Sequence, residues 1–156
     1  MKKWICGMLA AAFLLAGTAC EKEPGKEFSF PAEQTTQALL DSDAFSEPLE
    51  ELETDIAVMM FWLPGDVTGY EGSKVYCSTG ATAEVAAVIR VADPDKVPEV
   101  EQALKSWVES QIEAERDYRP AEVPKLENAI IEARGFTVLL AVAADWEKAE
   151  AVVAEQ

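Results

Sequence analysis

Apolar and polar positions along this chain alternate with two different periods, and the switches between them outline its elements. Val100, Leu104, Trp107, Val108 and Ile112 recur at spacings of three and four, the pattern of a helix with one face turned to a core. Glu101, Lys105, Glu109, Glu113 and Arg116 fill the opposite, solvated side. Asp93-Pro94 starts this helix, with the acid as cap and proline near the first helical position. It runs to about Tyr118, and Pro98 delays its regular start by a turn. Further on, residues 129–134 and 136–143 read as a hairpin around Arg134-Gly135, where glycine tolerates positive φ. Its second strand is apolar on both sides, with Phe136, Val138, Leu140 and Val142 on one and Leu139, Ala141 and Ala143 on the other. A strand of that kind needs cover on two faces.

The earlier chain is patterned less strongly. Residues 31–40 read as a short helix with Leu39 and Leu40 inward. Ser46 caps a second turn containing Pro48 and Leu49. Every residue from Ile56 to Leu63 is apolar, so the segment has no polar stripe to turn to water. It reads as a short helix started near Thr54 or Asp55, which either covers the sheet face opposite the long helix, the favoured reading, or docks a partner. Strands follow over residues 69–78 and 84–91, joined by a turn at Thr79, Gly80, Ala81 and Thr82. Residues 120–126 form a loop with at most one helical turn, and Asp145 caps a last helix carrying Ala149, Val152 and Val153. Paired neighbouring strands with short turns predict an α+β domain. The expected architecture is an antiparallel sheet of about four strands, in two hairpins, packed with the long helix and shorter helices.

The first twenty residues follow another logic. Lys2 and Lys3 precede an apolar run from Trp4 to Ala16, and Gly17, Thr18 and Ala19 end directly on Cys20. Thirteen apolar residues suit a secretory signal and fall short of the ~20 that span a bilayer. The layout resembles the lipobox of bacterial lipoproteins, which implies a diacylglyceryl group on Cys20 and cleavage before it. Leucine is commonest in that motif where Gly17 stands. The organisation read from the chain is a signal peptide at 1–19, a polar flexible tether at 20–30 carrying lipidated Cys20, and one domain at 31–156. The expected address is the extracytoplasmic face of a cell membrane.

Charge narrows the partners. Removing residues 1–19 takes away two lysines and no acid, so the formal charge moves from −16 to −18. Such a surface argues against nucleic acid and against an electrostatic grip on anionic lipid. The three cysteines reduce to Cys77 alone once Cys6 leaves with the signal and Cys20 is modified, so no disulfide is expected. The chain has no histidine, so Cys77 lacks an imidazole base and reads as a small buried hydrophobe. No phosphate loop, nucleophile elbow or zinc spacing is present. Asp41-Ser42-Asp43 lacks the glycine and distal glutamate of a calcium loop. The acidic cluster of Glu47, Glu50, Glu51, Glu53 and Asp55 reads as a solvated segment. No catalytic residue, metal ligand or cofactor is assigned. Met59, Met60, Phe61, Trp62 and Gly80 are the candidate interaction residues, for an unknown protein or small ligand. The expected role is a non-enzymatic, membrane-tethered binding or interaction module, with a cell-envelope hydrolase using paired carboxylates as the alternative.

Three stretches carry a family resemblance: Ala44-Phe45, residues 78–84 (Ser-Thr-Gly-Ala-Thr-Ala-Glu) and residues 123–127 (Val-Pro-Lys-Leu-Glu). With the lipobox-like start, they resemble the small bacterial lipoproteins called domain of unknown function 4358. The likeness covers about residues 31–152, and 78–84 is its most specific part. It implies a location and a domain, without a reaction or catalytic residues to carry over.

Overall fold

A computed structural model describes residues 28–156. Five strands form one antiparallel sheet: β1 (Glu50–Glu51), β2 (Lys74–Cys77), β3 (Val85–Arg90), β4 (Ile130–Arg134) and β5 (Thr137–Val142), in the order β1-β2-β3-β5-β4. The helices are α1 (Ala32–Leu40), α2 (Thr54–Met60), α3 (Val97–Tyr118), α4 (Val123–Glu127) and α5 (Trp146–Ala154), with 3₁₀ turns at Val67–Tyr70 and Pro94–Lys96. The domain is α+β, with the expected long helix and shorter ones around an antiparallel sheet. Arg134 pairs with Thr137, leaving Gly135 and Phe136 as a two-residue turn, with Gly135 at φ +52°.

The two central strands decide the layering. β3 and β5 are paired over six residues, and all but Arg90 of those twelve are buried. Alternation sends Val85, Ala87, Ile89, Val138, Leu140 and Val142 to one face, where Val100, Leu104, Trp107 and Leu126 meet them. Ala86, Val88, Leu139 and Ala141 face the other side, against Phe30, Leu39, Ala149 and Val153. The sheet is thus covered twice, as its doubly apolar strands require.

Which segments supply the covers differs from expectation. Ala57, Phe61 and Leu63 belong to the same core as the long helix, and the Phe61 ring meets Trp107 edge-on at 5.0 Å. α1 and α5 cover the second face instead, where Leu39 and Ala149 pack with Ala86, Val88, Leu139 and Ala141. The helical turn expected at Ser46 is absent: the chain bends at residues 45–47 and leads into β1, a fifth strand. Ser46 gives its N–H to Glu84 across the fold rather than capping a helix. The strand expected from residue 69 begins only at Lys74, since Asp66 accepts from Thr68 and winds residues 67–70 into a 3₁₀ turn.

Pro98 sits within the first turn of α3, and the preceding 3₁₀ turn, capped by Asp93, is the delay that it imposes. Phe30 is buried and donates its N–H to Thr137 Oγ1, so the folded domain already includes a residue assigned to the tether. The signal expected at 1–19, with Cys6, and the expected lipidation site Cys20 lie outside the described residues. Among those described, no helix is long and apolar enough to cross a membrane.

Candidate functional site

The turn between β2 and β3 forms one end of the sheet, and it is held from below rather than hanging free. Ser78 N–H donates to the Glu84 carbonyl, extending the ladder by one pair beyond β2 and β3. Ser78 Oγ accepts from Thr82 N–H at 2.9 Å and Gly80 N–H at 3.3 Å, a hydroxyl-centred turn. Gly80 lies at φ +111°, a backbone that only glycine adopts without strain. Hydroxyls of Ser78 and Thr82 both donate to Glu47. These two hydrogen bonds, Ser78 first, hold the Glu47 carboxyl below its ordinary value, with help from the charge of Lys125.

Beneath the turn lies a buried ion cluster. Glu84 has no exposed side-chain surface and bonds Lys125 Nζ at 2.9 Å. Its carboxylate also accepts the Ser46 hydroxyl at 2.7 Å and the Ser46 N–H at 3.0 Å. Lys125 reaches Glu122 at 3.1 Å, and Glu122 in turn accepts from Ala83 N–H at 2.9 Å. Burial pulls the Lys125 ammonium down, but hydrogen bonds to Glu84 and Glu122, with their charges, outweigh it and leave it above the ordinary lysine value. Arg119 closes the cluster: it grips Glu115 through two nitrogens and donates to the Gly80 carbonyl at 2.8 Å. The grip on Glu115 raises the Arg119 pKa and lowers that of Glu115.

Among the described residues no buried side-chain nitrogen or oxygen lacks a partner. The cluster ties β3, α3, α4 and the segment after α1 to one exposed turn. An open cleft of about 430 Å³ borders it, lined by Leu40, Asp43, Phe45, Ser46, Glu47, Pro48 and Leu49.

The predicted interaction residues do not gather here. Gly80 is exposed at the tip of the turn, whereas Met59, Met60, Phe61 and Trp62 belong to α2 and its end. Of these, Phe61 is fully buried and Met60 half-buried, while Met59 and Trp62 are exposed at 65% and 57%. α2 ends with Leu63 N–H bonded to the Val58 carbonyl and Trp62 N–H to that of Met59. That closure demands left-handed backbone at the residue usually filled by glycine, and here Trp62 adopts it at φ +54°. Cys77 is free and half-buried, and burial pushes its thiol up to about 12. The acidic residues 47–55 gather no metal site: among the described residues no group of three or more candidate ligands is placed to hold an ion.

Sequence reading missed Ser46, Glu84, Arg119, Glu122 and Lys125 as partners. A signal was present, since Glu84 and Lys125 each lie within a motif that carried the resemblance, and Ser46 directly follows Ala44-Phe45. The three motifs, distant in sequence, converge on one ion pair.

No curated protein and no solved structure matches the chain. A family profile described as domain of unknown function (DUF4358) matches residues 66–143, half of the 156 residues. That segment holds the braced turn and both partners of the buried pair. With the turn and the buried Glu84–Lys125 pair inside the matched half, the chain belongs to the DUF4358 family.

Proposed function

We propose that this chain is a non-enzymatic binding module, held by a lipid on Cys20 at the extracytoplasmic face of a bacterial cell membrane, and that the turn at residues 78–84 is the surface it presents. The observation that carries the reading is the bracing of that turn by the buried ion cluster beneath it. Glu84 and Glu122 share Lys125, Glu84 accepts both donors of Ser46, and Glu122 and Arg119 bond the turn's backbone at Ala83 and Gly80. A general acid or base needs a carboxyl within reach of a substrate proton, and a buried carboxylate with three internal donors has no such freedom. Holding an exposed turn in one shape instead reduces the ordering cost of binding a partner. The turn also lies at the opposite end of the sheet from Phe30, where the chain enters the fold, so a tether at residues 20–27 leaves it facing away from the membrane.

The test is site-specific photo-crosslinking in intact cells, with the reactive group at Ala81 and a control at Glu109 on the solvated face of α3. A discrete product from position 81, absent from position 109, supports the reading. Equal labelling from both positions overturns the presented surface. Hydrolytic activity of the purified protein that disappears in Glu84→Gln or Glu122→Gln favours the carboxylate hydrolase. Anchoring is tested by mass spectrometry of the native protein, where Cys20 is expected to carry a diacylglyceryl adduct and residues 1–19 to be missing.

A further inference from the structure

We infer that the end of the sheet at which the chain enters rests on the bilayer that anchors it, with Trp62 as the interfacial contact. The inference builds on the anchor proposed at Cys20 and adds which surface meets the lipid. Val91 N–H donates to the Phe136 carbonyl, Phe136 N–H to Ser29 Oγ, and Ala92 N–H to the Gly69 carbonyl. The entry of the chain, the β4–β5 turn and the 67–70 turn therefore share one end of the sheet. Tyr70 hydroxyl donates to the Pro64 carbonyl, which brings the segment just after Trp62 to the same end. Three apolar side chains on these segments are exposed: Phe28 at 74%, Trp62 at 57% and Val67 at 40%. Ile56 and Met59, on α2, are exposed as well. The opposite end exposes Tyr118, which is engaged with the Arg119 guanidinium.

Exposure singles out Trp62: the closure of α2 imposes its left-handed backbone, but no packing accounts for a tryptophan that is 57% exposed. The length of chain to the anchor then selects the occupant. Eight Cα steps separate Cys20 from Phe28, so full extension spans at most ~29 Å. A lipid at Cys20 keeps Phe28 within that reach of the headgroups, and the surface around it meets lipid at high effective concentration. Tryptophan is the side chain that best suits the boundary between headgroup and acyl chain. The acidic surface opposes anionic lipid, so the contact is apolar and strengthens as salt screens the repulsion.

The experiment uses the full chain with Trp107→Phe and Trp146→Phe, expressed in its membrane, extracted and reconstituted in phosphatidylethanolamine–phosphatidylglycerol vesicles. After removal of residues 1–19, Trp62 is then the one tryptophan left. Nitroxide lipids labelled near the headgroup are expected to quench it at least about twofold, with protection from aqueous acrylamide. Urea titration of the variant verifies that it is folded, and mass spectrometry reads Cys20 in the same sample. A modified Cys20 with unquenched, acrylamide-accessible Trp62 overturns the inference alone. A Trp62 protected from acrylamide in a sedimenting dimer, without nitroxide quenching, assigns the surface to a second copy and overturns it too. An unmodified Cys20 removes the anchor and the inference with it.

Discussion

Replacing Lys125 with methionine isolates the buried pair, because the apolar stem survives and the charge does not. Glu84 has no exposed side-chain surface, and the lysine side chain is 15% exposed. In Lys125→Met the carboxylate keeps only the N–H and hydroxyl of Ser46, while Glu122 keeps the Ala83 N–H. Removing one partner of a buried pair costs about 3–5 kcal/mol, since the remaining charge stays desolvated. The two Ser46 donors and the partial exposure of Lys125 place the expected cost at the lower end, about 3 kcal/mol. With a urea dependence of about 1–3 kcal/mol per molar, the midpoint falls by roughly 1–3 M. The assay is urea titration of the chain from Cys20 onward by circular dichroism at neutral pH. Adding Glu84→Gln removes the stranded charge and should recover about 1–2 kcal/mol, a coupling read from the double-mutant cycle. Amide exchange at Ser46 and Ala83 should quicken in Lys125→Met, because both amides bond the cluster. A cost under about 1 kcal/mol, with no coupling to Glu84, refutes the reasoning and removes the brace from beneath the turn.

Three further outcomes follow from other parts of the fold. Trp107 is 6% exposed and carries the Phe61 edge contact, so Trp107→Ala should cost about 3–5 kcal/mol in urea melts, and under about 1 would place it on the surface. Cys77 rises from an ordinary 9.0 to about 12, so near pH 8 its thiolate is ~1,000-fold rarer than in the unfolded chain; a thiol reagent that modifies native and unfolded protein at similar rates refutes this. Glu47 and Glu115 both lie below the ordinary 4.5, held there by Ser78 and Thr82 and by Arg119 respectively. The unfolded chain therefore takes up protons first as pH falls: stability is fully present above about 4.5 and is lost as pH drops through the folded values. Glu47→Gln should flatten that acid limb in urea midpoints measured from about pH 7 to 3, and an unchanged slope contradicts the assignment.

Local pattern settles much of this protein. The helix reaching Tyr118 was legible because its apolar spacing repeats over several turns and Asp93-Pro94 marks its start. The β4–β5 hairpin was legible because Gly135 fits its turn and the strand beyond is apolar on alternating sides. Even the need for two covers could be read from β5, since its alternation leaves no face for water.

The identity of the covers could not be read. Residues 56–63 are apolar all round, so nothing in them says which sheet face they meet, and packing beside Trp107 decided it. β1 consists of two glutamates, which carry no strand pattern; its existence follows only from pairing with Tyr76 and Cys77. Trp62 in left-handed backbone runs against residue preference, and the closure of α2 imposes it. The partnership of Glu84 with Lys125 spans 41 positions. Each residue alone looks like an ordinary surface charge, because the energy that buries a charge comes from its partner and has no local sequence signal. Sequence thus determined the elements, whose periodicity is local, whereas the tertiary fold decided which faces meet and which charges are buried, since those depend on contacts between distant residues.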